Sequence, residues 1–220
     1  MNNTYAKPED IENRSFEIIG GELAGRRGGK VKPPLEDYIV KRVIHTTADF
    51  DFDDNLVFTR NAAGAALELI RSGVDIVTDT RMAMIGINKS LLSESGGAVH
   101  CFIADADVAA AAKRNGITRS RASMDKAALL AKPLVFAIGN APTALIRIRE
   151  LIDENKLDAK LVIAAAVGFV NVVEAKELFL DAPLPCIIAR GRKGGSAVAA
   201  AIVNAVLVSA FRPAALQITR

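Results

Sequence analysis

One of the two histidines in the chain, His45, has charged neighbours at spacings that suit proton transfer. It lies in the segment "RVIHTTADFD", where Arg42 precedes it by three residues and Asp49 follows it by four. Residues three or four positions apart share one face of a helix, so Arg42 and His45 would point the same way, and Asp49 would extend that face if the helix reached it. An imidazole exchanges protons near neutral pH. One histidine alone defines no geometry, so a catalytic residue and an ordinary helix-surface residue are both open interpretations.

The basic side chains fall into small clusters beside glycines rather than into one long run. The net charge is only +3, and no five basic residues stand together, so a nucleic-acid partner is not expected. The clusters are Arg26, Arg27 and Lys30; Arg119 and Arg121; and Arg190, Arg192 and Lys193. Groups of this size suit a small polyanionic ligand, although solvated surface charge explains each cluster equally well.

Two segments that follow predicted strands could contact a ligand closely. In "AIGNAPTAL", Asn140 could cap the helix that begins near Pro142 or direct its side-chain amide at a ligand. In "VGFV", Gly168 and Phe169 would allow a flat ligand to approach the backbone and an aromatic ring. Ordinary turns that need glycine for tight geometry are the alternative explanation for both segments.

A third segment, "ARGRKGGSAVAAAIVN", combines basic residues with glycines and then begins a helix. Arg192 stands beside Gly194 and Gly195, and the helix would start at Ser196. Backbone N–H groups and the helix dipole at such a start favour an anion. The segment lacks the spacing of a nucleotide-binding motif, because neither G-x-G-x-x-G nor G-x-x-x-x-G-K-[ST] occurs in the chain.

Other classes of site and location are disfavoured by the sequence. His100 lies in an apparent strand and is expected to be a core residue, so no metal site is predicted. Cys101 and Cys186 stand in apolar runs without metal-ligand spacing, which predicts buried, reduced thiols and a cytoplasmic protein. The first residues are polar rather than a signal peptide, and no stretch of 18 uncharged apolar residues predicts a membrane span.

The elements that would position these residues alternate along most of the chain. Apolar segments such as "LVFAIG", "LVIAAAV" and "PCIIARG" predict strands, and segments with helical periodicity separate them. Strands that are apolar throughout predict a mainly parallel sheet covered by helices on both faces, that is, a doubly wound α/β fold. The first 50 residues differ, and predict a helical N-terminal segment with a glycine-rich loop, "GGELAGRRGGK", between two helices. We expect one domain over residues 1–220, with ligands at the carboxyl ends of the strands.

Five segments, taken in order, resemble the precorrin-8X methylmutase family, which includes the cobalt-precorrin-8 methylmutases of corrinoid synthesis. They are "RSFEII", "KRVIHTTADF", "AIGNAPTAL", "VGFVNVVEAK" and "RGRKGGSAVAAAIVNA", and they span the chain from about Arg14 to about Ala205. The resemblance implies an α/β homodimer that moves a methyl group from C11 to C12 of a tetrapyrrole, without a cofactor. The product would be hydrogenobyrinic acid or its cobalt-containing counterpart.

The resemblance also implies roles for particular residues. His45 would donate a proton to the macrocycle, and Ser15 and Arg119 would lie on the substrate side. Arginines and glycine-rich helix starts would suit the carboxylates of the substrate, and Gly168 and Phe169 would suit its flat ring. A corrinoid-binding carrier without catalytic activity is the alternative, and it would not require His45.

Overall fold

A six-stranded sheet in the order β1-β6-β5-β4-β2-β3 forms the centre of the computed structural model, which describes residues 8–213. The strands are β1 (Leu56–Thr59), β2 (Asp75–Thr78), β3 (Val99–His100), β4 (Leu134–Ile138), β5 (Ala159–Ala164) and β6 (Cys186–Ala189). All neighbouring strands are parallel except β1, which runs antiparallel to β6. The predicted mainly parallel sheet is therefore confirmed.

Helices cover both faces of this sheet. They are α1 (Pro8–Arg27), α2 (Pro34–Thr47), α3 (Phe52–Asn55), α4 (Ala62–Arg71), α5 (Arg81–Gly86), α6 (Lys89–Ser93), α7 (Ala106–Asn115), α8 (Arg119–Ala128), α9 (Pro142–Asp153), α10 (Val172–Glu177) and α11 (Ser196–Phe211). The apolar residues of α1, α2, α4 and α11 form one core with one face of the sheet, and those of α8, α9 and α10 form a second core on the other face. Strands β2, β4 and β6 are buried at every residue, as a sheet covered on both faces requires.

The direction of β1 brings the N-terminal helices to the edge of the sheet where the parallel strands have their carboxyl ends. Leu56, the first residue of β1, pairs with Ala189, the last residue of β6. The chain that leads into β1, which includes the end of α2, therefore lies at the carboxyl ends of the parallel strands. Helix α11 begins at this same edge and packs closely against α2.

The predicted glycine-rich loop near residue 25 is wrong, because helix α1 continues through it. Gly20, Gly21 and Gly25 are helical, and the chain leaves the helix only after Arg27. Ile19 and Leu23, four residues apart, are buried in the core shared with α2. Glycine weakens a helix by only about 1 kcal/mol relative to alanine, and this buried stripe outweighs that cost.

The segment "AVHCFIA" forms a shorter strand than expected. Strand β3 contains only Val99 and His100, and Cys101 just beyond it is partly exposed rather than buried. His100 is not a core residue, since about a quarter of its side chain is exposed. Its Nε2 atom lies 2.6 Å from a carboxylate oxygen of Asp75, which also accepts from Lys132. Cys186 is buried as predicted.

None of the helices in residues 8–213 combines the length and the apolar character needed to cross a membrane.

Candidate active site

His45 lies on the exposed side of the last turn of α2. The opposite side of this helix, which includes Ile39, Val43 and Ile44, is buried in the core. The imidazole stacks on the ring of Phe16 from α1, with the ring centroids 5.3 Å apart and the planes 15° from parallel. Among residues 8–213, no hydrogen bond to either ring nitrogen of His45 is found. The imidazole is therefore held by a ring contact and remains exposed.

Arg42 shares this face of α2, as the spacing predicts. Its guanidinium forms an ion pair with Glu12 of α1 and lies 5.5 Å from the centre of the Phe16 ring. It also lies 5.9 Å from the ring of Tyr38. Because the Arg42 guanidinium is already paired with the carboxylate of Glu12, a carboxylate of a ligand could bind Arg42 only by replacing Glu12.

Two cavities meet at His45. The first has a volume of about 420 Å³ and is lined by Ile11, Glu12, Arg42, His45, Thr46, Ala201 and Asn204. The second has a volume of about 310 Å³ and is lined by Ser15, Ile18, Ile19, Glu22, Ile44, His45, Ala48 and Phe50. Ser15, which we placed on the substrate side, thus lines a cavity with His45, although its hydroxyl donates to the carbonyl of Ile11 within the helix.

Asp49 does not extend the face of His45, which corrects the sequence-based expectation. Helix α2 ends at Thr47, and Ala48 adopts a left-handed conformation that turns the chain away. Asp49 instead forms an ion pair with Lys193 at 2.7 Å, and Lys193 also binds Asp51 at 2.7 Å. The hydrogen bond from Lys193 holds the pKa of Asp49 below its ordinary value. These pairs connect the end of α2 to the loop before α11.

That loop, residues 190–195, has no room for larger side chains at Gly194. A Cβ atom at Gly194 would lie 2.2 Å from the carbonyl oxygen of Ala165 at the end of β5. Gly195 has a φ of +130°, which L-amino acids rarely adopt, and its N–H donates to the same carbonyl. Both glycines therefore seal the β6–α11 loop against the end of β5.

Phe169 and Arg192 lie together on the surface of this edge. The Phe169 ring is 80% exposed, and the guanidinium of Arg192 lies 5.4 Å from its centre. The N–H of Gly168, whose φ is +141°, donates to the carbonyl of Arg192 at 3.2 Å. An aromatic ring and a cation therefore lie side by side on the surface, at the loop of residues 190–195.

The expected anion site at the start of α11 contains a hydroxyl pair. The Ser196 hydroxyl lies 2.7 Å from the hydroxyl of Thr80, which also caps α5. The start of α11 packs tightly on the end of β4, since a Cβ atom at Gly139 would lie 2.6 Å from Cα of Ser196. Ser196 therefore connects the β6–α11 loop to the ends of β2 and β4.

Asn140 does not cap α9, which has no side-chain cap hydrogen bond, and the buried carboxylate of Asp79 instead binds the backbone of the loop that precedes the helix. Asp79 accepts from the N–H groups of Gly139 at 2.9 Å, Asn140 at 2.9 Å and Ala141 at 2.6 Å. Burial raises the pKa of Asp79, while the three donors oppose that rise. Asp79 thus fills the crevice between β2 and β4, where the strand order reverses, and leaves the Asn140 side chain exposed.

Lys176 on α10 is a buried cation that the sequence pattern did not reveal. Its side chain is fully buried, and Nζ donates to the carbonyl of Lys193 at 3.0 Å. Burial lowers the pKa of Lys176 to about 8. Its place in the run "VEAKELFL" indicates a helix but gives no sign that a lysine would face inward. Through its hydrogen bond to Lys193, Lys176 holds the β6–α11 loop in place.

Each basic cluster separates into side chains that are neutralised within the chain and side chains that are not. Arg27 pairs with Asp37 and Asp53, Arg121 with Glu150, Arg190 with Glu177, and Lys193 with Asp49 and Asp51. In the part of the chain that the structure describes, Arg26, Lys30, Arg119 and Arg192 form no ion pair. Arg119 and Arg192, two predicted substrate-binding residues, are thus available to an external anion.

The predicted residues form three groups along one edge of the sheet. Ser15, Arg42 and His45 lie on α1 and α2; Gly168, Phe169, Arg192, Gly194, Gly195 and Ser196 lie in the loops after β5 and β6; Arg119 and Asn140 lie at the starts of α8 and α9. Lys193 joins the first group to the second. The third is tied to the same edge through Thr118, which donates to Thr143 on α9 at 2.9 Å. Neither of the two cavities described above that His45 lines is also lined by Arg119.

The described residues hold no cluster of three or more histidine, cysteine, aspartate or glutamate side chains that could bind a metal ion.

Comparisons with known proteins identify the relatives of the chain. A family model described as precorrin-8X methylmutase matches residues 10–209. The cobalt-precorrin-8 methylmutase of Salmonella typhimurium is 45% identical over 203 residues, which cover 91% of this chain and 95% of that protein. The precorrin-8X methylmutase of Pseudomonas aeruginosa is 36% identical and covers 89% and 93%. The precorrin-8X methylmutase structure from Thermus thermophilus superimposes with a TM-score of 0.81 at 36% identity, over 92% of this chain and 98% of that one.

Proposed function

The chain belongs to the precorrin-8X methylmutase family, and from this membership we propose that it moves a methyl group from C11 to C12 of precorrin-8X or cobalt-precorrin-8. The protein is an isomerase of cobalamin biosynthesis, and its product would be hydrogenobyrinate or cobyrinate. The carrier alternative is not supported, because the named relatives over nearly the full length of the chain are methylmutases.

His45 is the proposed proton donor, and its exposure between two cavities is the observation that carries this assignment. Protonation of the macrocycle would draw electrons toward the ring, so the bond from the methyl group to C11 could break as the bond to C12 forms. An isomerisation leaves the number of atoms unchanged, so the donated proton must be recovered before the next turnover. A positioned acid of this kind typically accelerates a reaction about 10²- to 10⁴-fold.

The substrate carboxylates would be bound by the basic side chains along the edge. Arg119 and Arg192 have no internal ion pair in the described residues, and Arg42 would exchange Glu12 for a substrate carboxylate. Guanidinium groups bind carboxylates through two parallel hydrogen bonds, which fixes orientation as well as position. Asn140 and Ser196 would add neutral hydrogen-bonding groups, and Ser15 would do the same from α1.

The flat ring of the substrate would lie against the exposed side chain of Phe169. Gly168, with a φ of +141°, and the closely packed glycines at positions 194 and 195 carry no side chain beside Phe169. A broad ring could therefore approach the backbone there. This contact would hold the ring without stabilising any particular charge. It would therefore contribute to substrate binding more than to the chemical step.

We also propose the extent of the domain, the oligomeric state, the location and the cofactor requirement of the protein. The domain would extend over residues 1–220, two copies would form a homodimer, and the protein would act in the cytoplasm. The reaction changes no oxidation state, so no redox cofactor is needed. Sedimentation equilibrium of the purified protein tests the homodimer directly, since a single species of 23.3 kDa would contradict it.

The decisive experiment follows the absorbance spectrum of precorrin-8X and, separately, of cobalt-precorrin-8 in the presence of the purified protein. We expect at least one substrate to be converted by the wild type, and the His45→Ala variant to be slower by about 10²-fold or more. The comparison of the two substrates decides whether the natural ring carries cobalt. Turnover of His45→Ala at the wild-type rate would remove His45 from the mechanism while leaving the methylmutase activity in place.

A further inference from the structure

The side chain of Phe16 contacts both His45 and Arg42, the two residues of α2 that would act on the substrate. The ring stacks on His45 with its centroid 5.3 Å from that of the imidazole, and it lies 5.5 Å from the guanidinium carbon of Arg42. It also stacks on Tyr38 at 6.3 Å. One aromatic ring on α1 therefore contacts both the candidate acid and a candidate carboxylate-binding residue on α2.

Phe16 is buried, but it lies outside the apolar clusters of the core. Its exposure is only 4%, yet it belongs to none of the apolar clusters of the described residues, whereas its neighbours Ile19 and Leu23 do. The recorded contacts of the ring are with Tyr38, His45 and Arg42. Leu23, by contrast, belongs to the aliphatic core that α1 shares with α2.

His45 needs something to orient it. A histidine that transfers protons is usually held by a hydrogen bond to its second ring nitrogen. In residues 8–213 no such bond reaches His45, and the imidazole is exposed. The parallel contact with Phe16, at 15° between the planes, is thus the interaction that restricts rotation of the imidazole.

We propose that Phe16 is a positioning residue for the methylmutase reaction: its flat ring orients the His45 imidazole toward the bound macrocycle and sets its spacing from Arg42. The inference rests on the proposed role of His45. A flat aromatic face is required, because an aliphatic side chain of similar volume would fill the space but would let the imidazole rotate. The face of an aromatic ring also attracts cations, so the same ring suits a protonated imidazole and a guanidinium.

The test compares steady-state kinetics of variants at Phe16 with a matched aromatic control. Phe16→Leu and Phe16→Met remove the flat ring but keep an apolar side chain, and Phe16→Tyr keeps the ring. Tyr38→Leu removes an aromatic ring that stacks on Phe16 and is not stacked on His45. Thermal unfolding of each variant identifies those that fold, and two aliphatic replacements ensure that one failure to fold does not end the experiment.

We expect Phe16→Leu and Phe16→Met to lower kcat about 10- to 100-fold with KM changed less than about threefold, because misplacing a catalytic group slows chemistry more than it weakens binding. Phe16→Tyr should recover kcat to within about threefold of the wild type, and Tyr38→Leu should lose thermal stability with kcat kept within about twofold. Any of three results would overturn the proposal: wild-type kcat in the aliphatic variants, no recovery with tyrosine, or an equal loss of kcat in Tyr38→Leu.

The His45→Ala variant separates failure of this inference from failure of the assignment on which it rests. If His45→Ala is inactive and the aliphatic Phe16 variants are fully active, His45 keeps its role and Phe16 loses the one proposed here. If His45→Ala is as active as the wild type, the proton donor lies elsewhere, and the contact with Phe16 has no mechanistic meaning.

Discussion

Whether an arginine forms an ion pair within the chain distinguishes structural arginines from those that could bind a ligand. Arg119 and Arg121 stand two positions apart on the first turn of α8, and only the family resemblance distinguishes them in the sequence. In the structure, Arg121 forms two hydrogen bonds with the Glu150 carboxylate, at 3.0 and 2.5 Å, whereas Arg119 is exposed and forms no ion pair with a described residue. Only Arg119 therefore has its full charge available to a substrate carboxylate.

We expect Arg119→Gln to raise KM about 10-fold or more, since a hydrogen bond to a charged group contributes roughly 1.5–3 kcal/mol. Arg121→Gln is the matched control, and its KM should stay within about twofold of the wild type while its stability falls by about 0.2–1 kcal/mol. Spectroscopic initial rates over a range of substrate concentrations measure both values. A larger effect on KM from Arg121 than from Arg119 would contradict this assignment.

The residues that the sequence predicts at the site are those whose types alone suggest chemistry. His45 and Phe169 lie exposed at one edge of the sheet, and Arg42 lies there partly buried. The buried contacts of Asp79 and Lys176 could not be predicted, because each side chain binds backbone groups that are distant in sequence. The pairing of Asp49 with Lys193 was also missed, since it depends on how α2 ends and not on helical spacing.

Among the elements, α1 shows how a local rule can fail. Its glycines favour a loop when considered alone, but the buried side chains of Ile19 and Leu23 keep it helical to Arg27. Strands β4, β5 and β6 were predicted well, because apolar runs bounded by turn residues leave few alternatives. The position of β1 antiparallel to β6 could not be predicted, since strand order depends on contacts between distant segments.

The glycines of α1 predict a gain in stability on substitution. A Cβ atom at Gly25 would meet no atom within 4 Å, and its backbone is helical. Gly25→Ala should therefore raise the free energy of unfolding by about 0.5–1 kcal/mol, by removing conformational freedom from the unfolded chain. Urea denaturation of the wild type and the variant measures the difference. A lower stability of the variant would show that this turn of α1 is not helical in solution.

The opposite result is expected for the glycine loop before α11. Gly194→Ala would place a Cβ atom 2.2 Å from the carbonyl oxygen of Ala165, so the loop must move. Overpacking of this kind costs about 1–3 kcal/mol, and the displaced loop carries Arg192. The variant should lose both stability and substrate affinity, as urea denaturation and KM would show. An unchanged KM would mean that the loop does not contact the substrate.

For the molecule as a whole, Lys176 gives the unfolding equilibrium a particular dependence on pH. Its pKa is about 8 in the folded protein, while an unfolded lysine has the ordinary value of 10.5. Between these values the unfolded chain binds the proton and the folded chain does not, so the free energy of unfolding rises with pH across this interval. The cost of burying the charge is fully present below pH 8 and absent above the upper value.

We expect Lys176→Met to reduce the rise of the free energy of unfolding with pH by about 1–3 kcal/mol. Urea denaturation of wild type and variant at a series of pH values measures the difference between the two curves. Lys160→Met is the control, because Lys160 is exposed and pairs with Asp158. Its curve should run parallel to that of the wild type, and a Lys176→Met curve that also runs parallel would show that the ammonium is not buried in solution.

All of the predicted catalytic and binding residues lie at the carboxyl edge of the sheet, and the turn between α9 and β5 lies at the other edge. Residues 153–156 of that turn are exposed, and Asn155 has a left-handed backbone. Exposed turns away from a site tolerate inserted sequence well. A fluorescent reporter or an affinity module could therefore be grafted between Asn155 and Lys156, and such a fusion would allow the enzyme to be immobilised or tracked with its reaction edge left open.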